Sequence, residues 1–387
     1  MSRALDKATA AALQSGDPEE AFRAIADVLT ETTSATAEHL HEQERLEIEF
    51  LGHEHPPLPD GEYLLREGNA VAIPKLALVQ AFIVARKKLQ KHRAAISVNA
   101  DNKSILRATA VILLMDPEHL TAANTRKRLI QTSLLAVDAS RSALLASELH
   151  LVDSLLTSHL HRHTKSPTLW SHRRWLISCL ANPAADKTRL LHDMTHVVTV
   201  AAVRHPRNYY AWEHARWLVH WQSQGGKCGS KEEEDEKLKL VVVVRDWCFR
   251  NHTDTSGWSF LFFVLASLPT SLSGVDAAPA NLSPLYEETV TQVEQMATSL
   301  RWTGEAVWVF LRTAVAYHEH YRRETGTTIT NIDTEQYSRF QEAVLTLLAT
   351  VEPTSHEHQI LTRAQEWCKA KASEKTTSTV STASNTT

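Results

Sequence analysis

Apolar residues recur every three or four positions along most of this chain, which is the spacing of an amphipathic helix. No segment keeps the strict alternation of a half-buried strand, so we predict an all-α protein. The run at residues 53–63, with three prolines and one glycine, is predicted to be a loop. Residues 1–50 are predicted to form two or three helices, and a longer helix is predicted to begin at Pro74.

The most informative helix start reads SPTLWSHRRWLI, beginning at Ser166. Ser166 suits the N-cap, because its hydroxyl can accept a hydrogen bond from an unpaired backbone N–H, and Pro167 suits the first helical position. A second unit, RNYYAWEHARWLV, places Asn208 at the cap. Its Trp212 follows Trp170 by 42 residues, a repeat length typical of two-helix solenoids.

Weaker copies extend this repeat in both directions. Ala123 and Arg126 occupy the tryptophan and first arginine positions of an earlier copy. Trp258 marks a later copy without a following arginine, and Trp308 with Arg312 marks the last. Each copy follows another predicted helix, so we predict helical hairpins stacked into an α-α superhelix. Tetratricopeptide units, of about 34 residues, do not fit this period.

These patterns divide the chain into three predicted segments. Residues 1–69 hold N-terminal helices and the proline-rich loop, residues 70–372 form the superhelix, and residues 373–387 are a Ser/Thr-rich tail predicted to be disordered.

Composition narrows the function classes. The 387 residues are 43% hydrophobic with a formal net charge of −4, so the chain can bury a core but lacks the basic excess of a nucleic-acid-binding protein. Its apolar runs fall short of the about 20 residues that span a bilayer. The four cysteines have neither metal-ligand spacing nor a disulfide pattern, which favours the reducing cytoplasm.

No metal site is predicted in this chain. His159, His161 and His163 alternate along the sequence, and on a helix that spacing spreads them over different faces.

The paired units KSPTLWSHRRW at 165–175 and RNYYAWEHARW at 207–217 resemble the repeat of protein prenyltransferase α subunits, whose form is (Asn-Tyr)-x-x-Trp-x-x-Arg-Arg-x-Leu. Further similar stretches bring the resemblance to about residues 70–320: IPKLALVQAF at 73–82, LLMDPEHLTAANTRKRLI at 113–130 and DTSGW at 254–258. Within the family, the resemblance favours the geranylgeranyltransferases of the third type.

The resemblance implies a right-handed superhelix of hairpins that wraps a β subunit. That partner, expected to be the β subunit of the Rab geranylgeranyltransferase type, would carry the catalytic zinc and most of the isoprenoid tunnel. No cofactor is expected in the present chain. The other expected partners are an isoprenoid diphosphate and a prenyl-acceptor protein.

The resemblance also implies roles for residues at the two helix starts. The family lysine that reaches the diphosphate falls on Lys165, and the family tyrosine falls on Tyr209, which makes these the candidate catalytic residues. Arg207, Asn208 and Tyr210 join Lys165 as candidate diphosphate-binding residues. Tyr210 stands where the family has histidine, and Pro167 where it has tyrosine. Architectural roles are expected for Trp170, Arg173, Arg174, Trp212, Arg216, Trp258 and Trp308.

We therefore predict the α subunit of a heterodimeric protein prenyltransferase, inactive alone, that helps to transfer a geranylgeranyl group to a C-terminal cysteine. The alternative is a non-catalytic helical-repeat scaffold that binds another protein. The degraded copies at Ala123 and Trp258 favour this alternative.

Overall fold

The computed structural model describes residues 16–31, 45–52, 55–56, 58–94, 101–133, 140–180, 188–223, 231–267, 284–324 and 335–380, and the structural statements below concern these residues. They are mostly helical, which confirms the predicted all-α class. The chain divides into two compact units, Met1–Gly225 and Gly226–Thr387. One of the four cysteines, Cys228, and two residues of the predicted loop at 53–63, His53 and Glu54, lie outside the described residues.

The first unit begins with one helix and a small sheet. Helix α1 spans Pro18–Thr30, and the strands are β1 (Glu47–Leu51), β2 (Leu65–Glu67) and β3 (Ala70–Pro74). Strand β3 lies in the centre, parallel to β1 and antiparallel to β2. The helices that follow are α2 (Lys75–Ala94), α3 (Asn102–Met115), α4 (Leu120–Ser133), α5 (Ser140–Thr157), α6 (His161–Thr164), α7 (Pro167–Leu180), α8 (Arg189–Asp193), α9 (Thr199–Arg204) and α10 (Tyr209–Ser223).

The sheet corrects one prediction, because we expected helices up to residue 50, whereas the helix predicted to begin at Pro74 is present and begins at Lys75. Alternation is present but short: Ile48, Val71 and Ile73 are buried while their neighbours are more exposed. Each such run covers only five residues, too few to stand out against the helical pattern. Gly68, at φ +60°, provides the positive φ that the tight turn between β2 and β3 uses.

Helices α3 to α10 form successive hairpins. Helix α3 packs on α4 and α5 packs on α7. In the third hairpin, α8, a π-helical turn at Met194–Val198 and α9 follow one another as one continuous first helix before α10. The second helices of neighbouring hairpins also touch, α4 with α7 and α7 with α10, so the hairpins stack in chain order.

The second unit continues the helical pattern with α11 (Lys231–Arg250), α12 (Thr255–Ala266), α13 (Pro284–Ser299), α14 (Glu305–Glu324), α15 (Glu335–Leu348) and α16 (His356–Val380). Its core is aromatic, with Trp258, Trp308, Tyr286 and Phe340 fully buried. Helix α16 continues past Ser373, the first residue of the tail that was predicted to be disordered. Ala372, Glu374 and Lys375 are good helix formers, which favours this continuation. The stretch from Ser267 to Pro284, rich in Ser, Pro, Ala and Gly, is predicted to be a loop, and its residues 268–283 lie outside the described residues.

None of the described helices combines the length and apolar character needed to cross a bilayer.

Candidate functional site

The helices that carry Trp170, Trp258 and Trp308 share one local geometry. The indole Nε1 of Trp170 donates to the carbonyl oxygen of Thr164, six residues earlier, at 2.9 Å. Trp258 donates in the same way to His252 at 2.9 Å, and Trp308 to Trp302 at 2.8 Å. Each indole therefore fastens its helix start to the turn before it, which makes these copies structurally equivalent in both units.

The helix starts are capped by side chains as the sequence indicates. Ser166 Oγ accepts from the Leu169 N–H at 3.1 Å, and Asn208 Oδ1 accepts from the Ala211 N–H at 3.3 Å. Such bonds satisfy backbone donors that have no partner inside the helix. The Asn208 amide also donates to the Thr164 carbonyl at 2.7 Å, so it joins the start of α10 to the turn before α7.

This bond sets the two helix starts side by side. The rings of His161 and His205, which lie in the turns just before them, are also in edge contact, with centroids 5.6 Å apart. Lys165 and Arg207, each one residue before a cap, are exposed at this edge. Arg207 has a positive φ of 58°, so the backbone leaves the regular conformation where the chain enters α10.

The tyrosines lie on the same edge. Tyr209 and Tyr210 are 62% and 38% exposed, and their rings meet edge to face with centroids 5.6 Å apart. Asn208 is 1% exposed and its amide serves the cap and Thr164, which leaves little of it for a diphosphate. Among the candidate catalytic and diphosphate-binding residues, the exposed ones are thus Lys165, Arg207 and the two tyrosines.

A network of buried charged residues joins the hairpins, and the sequence analysis did not predict it. Arg126 on α4 binds Glu148 on α5 through two N–H groups, one of them Nε at 2.8 Å from Oε1. His172 Nε2 on α7 donates to the same carboxylate at 2.8 Å. Arg126 also donates to Thr109 Oγ1 at 2.8 Å. The network joins the second helix of one hairpin to both helices of the next.

The next hairpin repeats the arrangement. Arg173 on α7 donates to Asp193 on α8 at 2.7 Å and to Asp153 on α5 at 2.7 Å from Nε. Its Nη1 also lies 2.8 Å from His214 Nε2 on α10. Because a guanidinium only donates, this imidazole nitrogen accepts, so His214 is neutral and carries its proton on Nδ1.

The pKa values in both networks follow from burial and pairing. Burial by itself would raise the pKa values of Glu148 and Asp193, but Arg126 and Arg173 outweigh it and both pKa values are lowered. Burial lowers the pKa of His172 and, together with Arg173, that of His214. Both carboxylates are therefore charged and both imidazoles neutral near pH 7, which matches the hydrogen bonds.

One signal could have revealed these networks. His172 and His214 are 42 residues apart, the same spacing as Trp170 and Trp212, so the histidine belongs to the repeat. The acids were harder to find, because Glu148 and Asp193 lie on first helices that carry no recognisable motif.

The predicted architectural residues fall into two groups. Trp170, Trp212, Trp258, Trp308 and Arg173 are buried. Arg174 and Arg216 lie one position further along and are only partly buried. Within the described residues, no group of three or more His, Cys, Asp or Glu side chains is placed to hold a metal ion.

Comparisons with known proteins cover part of the chain. Residues 145–274, about a third of the chain, match a family described as the ECM9 middle domain. A 93-residue stretch is 30% identical to the Protein prenyltransferase alpha subunit repeat-containing protein 1 of Danio rerio, covering 24% of this chain and 19% of that protein. The chain therefore spans about a fifth of that relative's length. Over that stretch, this chain is similar to a protein named for prenyltransferase α-subunit repeats.

Proposed function

We propose that this chain is the α-type subunit of a heterodimeric protein prenyltransferase. It would help a β subunit transfer a geranylgeranyl group from its diphosphate to a cysteine near the C-terminus of an acceptor protein. Two findings support this: the partial similarity to a protein named for prenyltransferase α-subunit repeats, and the stacked hairpins. The observation that carries it is the pair of adjacent helix starts with exposed Lys165 and Tyr209 at one edge.

The chemistry explains why such an edge would be useful. A thiolate attacks the allylic carbon, and negative charge develops on the leaving diphosphate as the C–O bond breaks. A fixed donor aimed at that charge typically contributes about 10²–10³ in rate. Lys165 would supply a cation and Tyr209 a hydroxyl, with Arg207 and Tyr210 beside them. The zinc that activates the thiol would belong to the β subunit.

Co-expression with a β subunit of the Rab geranylgeranyltransferase type tests the proposal directly. We expect a one-to-one complex that transfers geranylgeranyl from its diphosphate to a cysteine-containing acceptor, and no transfer by the isolated chain. A chain that forms no complex with this β subunit would contradict the proposal.

Within such a complex, Lys165→Ala tests the predicted role of Lys165. We expect turnover to fall by about 10²-fold, because one charge-stabilising donor is lost. Lys103→Ala, at an exposed lysine on α3, is the matched control and should leave turnover unchanged. Equal turnover of the two variants would remove Lys165 from the mechanism.

A non-catalytic scaffold is the second candidate. The observation that favours it is that Glu148, Asp193, His172 and His214, all of residue types used in catalysis, are buried in networks that hold hairpins together. Affinity purification distinguishes the two candidates. Recovery of other partners without a prenyltransferase β subunit would favour the scaffold.

A further inference from the structure

The residue after each buried arginine position is a partly buried cation on the stacked second helices. Lys127 follows Arg126, Arg174 follows Arg173, and Arg216 takes the same place on α10. These cations alternate with Trp175 and Trp217, which are 42 residues apart and only partly buried. We call these five residues, Lys127, Arg174, Trp175, Arg216 and Trp217, the cation–indole face.

Contacts across hairpins make this face continuous. Lys127 Nζ on α4 lies 5.8 Å from the ring centroid of Trp175 on α7. Arg174 Cζ on α7 lies 5.8 Å from the ring of Trp217 on α10. Lys127 and Arg174 therefore each cover the indole of the following hairpin, and the face extends over three hairpins.

The charge of Arg174 on this face is only partly compensated. The Arg174 side chain is 31% exposed, its nearest carboxylate oxygen, on Glu213, is 3.9 Å away, and its buried Nε has no hydrogen-bond partner among the described residues. Burial lowers the pKa values of Lys127, Arg174 and Arg216, although Glu213 acts in the opposite direction on both arginines. A partly desolvated cation without a close anion costs free energy, which an anionic neighbour would offset.

We propose that the cation–indole face docks an acidic surface of a partner protein, which in the proposed function is the β subunit. Complementary charge selects and orients partners, and Trp and Arg are enriched among residues that dominate binding energy. Packed helices lie about 8–10 Å apart, so the partner is expected to present carboxylates at about that interval. A nucleic acid fits less well, because cations already cover Trp175 and Trp217, on which bases would stack.

Binding of the full chain to the β subunit, measured by calorimetry, tests this proposal. We expect the variant K127Q/R174Q/R216Q to bind about tenfold more weakly or worse, because three charge pairs are lost. The matched control is Arg128→Gln, an exposed arginine beside Lys127, which should change affinity by less than about twofold. Equal affinity of the triple variant and the control would overturn the docking face while leaving the proposed function intact.

A second probe is independent of the β subunit. It is a helical peptide with Glu at seven-residue intervals, about 10 Å apart, compared with the same peptide carrying Gln. The wild-type chain should prefer the Glu peptide, with affinity falling between about 50 and 500 mM salt, and the triple variant should lose the preference. The salt series uses only the wild-type chain, so it still tests the preference for an acidic partner if the triple variant fails to fold. No preference for Glu, or tighter binding to single-stranded RNA or anionic vesicles through the same residues, would overturn the proposal.

Discussion

At the scale of single residues, Arg126 and Arg173 decide how the hairpins fit together. Each is buried, and each binds a carboxylate from the following hairpin. The histidines at equivalent positions take opposite roles, since His172 donates to Glu148 whereas His214 accepts from Arg173. One repeat position thus adopts two tautomers, because a carboxylate is the near partner in one copy and a guanidinium in the other.

Arg173→Met tests the structural weight of the second network. The substitution keeps much of the apolar volume but removes the nearest cation of Asp153 and Asp193, which leaves Arg45 at 4.0 Å from the first and Arg189 at 3.8 Å from the second. We expect a loss of about 3–5 kcal/mol in the free energy of unfolding, because a poorly compensated buried charge is expensive. Arg174→Met, at the partly exposed neighbour, should cost about 1 kcal/mol or less in the same urea titration. Similar losses for both variants would show that the network contributes little.

Glu294 on α13 provides a pH test. Burial raises its pKa from 4.5 to about 7, against the opposing effect of Arg339. The folded state therefore binds a proton that the unfolded state releases between these values, so the free energy of unfolding falls as pH rises through that window. The expected fall is about 3 kcal/mol at most, absent below pH 4.5 and complete above about 7.

Thermal unfolding from pH 4 to 8 measures this effect, with Glu294→Gln removing the titrating group. We expect the stability of the variant to decline much less between about pH 5 and 7 than that of the wild-type chain. Glu288→Gln, at an exposed glutamate on the same helix, is the control and should show the full decline of stability with pH. If Glu294→Gln shows the same decline as the wild-type chain, the decline comes from other groups.

At the scale of elements, a cap and an indole bond identify a copy of the repeat that the arginines do not reveal. The copy at α12 lacks the following arginine, yet Trp258 Nε1 makes the same bond to a carbonyl six residues earlier. Its cap, Asp254, is 3% exposed and accepts from the N–H groups of Ser256 and Gly257 at 2.9 and 3.0 Å. A copy that looked degraded in sequence is therefore intact as a structural unit.

Asp254→Ala tests this cap. We expect the variant to lose about 1–2 kcal/mol of stability, because two backbone donors at a buried helix start lose their acceptor. Asp254→Asn keeps an acceptor oxygen and should lose much less. Melting temperatures of the two variants give the comparison, and equal losses would trace the effect to charge rather than to capping.

At the scale of the whole molecule, the described helices form two compact units, and no group of acids, histidines and cysteines in their described parts suits a metal ion. Neither finding tests the predicted boundaries at residues 69 and 372, which stay predictions. If the chain is the α-type subunit proposed, its chemistry depends on a second polypeptide.

Metal removal tests that dependence. We expect the isolated chain to hold no stoichiometric zinc and the complex with the β subunit to hold one ion. Chelation should abolish turnover of the complex and leave the helical circular dichroism of the isolated chain unchanged. Elemental analysis of both preparations provides the measurement, and stoichiometric zinc in the isolated chain would contradict the assignment.

The sequence by itself determined the helical class and the positions of the strongest helices, because periodicity and caps act locally. Helix α7, for example, begins at Pro167, the predicted first helical position. Strand β1 was missed because its short alternating run gains its pairing energy from β3, which is distant in the sequence.

Only the tertiary structure decided which charged residues are partners. Stacking brings residues 20 to 41 positions apart into hydrogen-bond contact, and only then do Glu148, Asp193, His172 and His214 find their partners. Burial then sets their protonation, since desolvation and a fixed neighbour outweigh any intrinsic preference of the residue. The same stacking aligns Lys127, Arg174 and Arg216 on one surface, a pattern that no single helix contains.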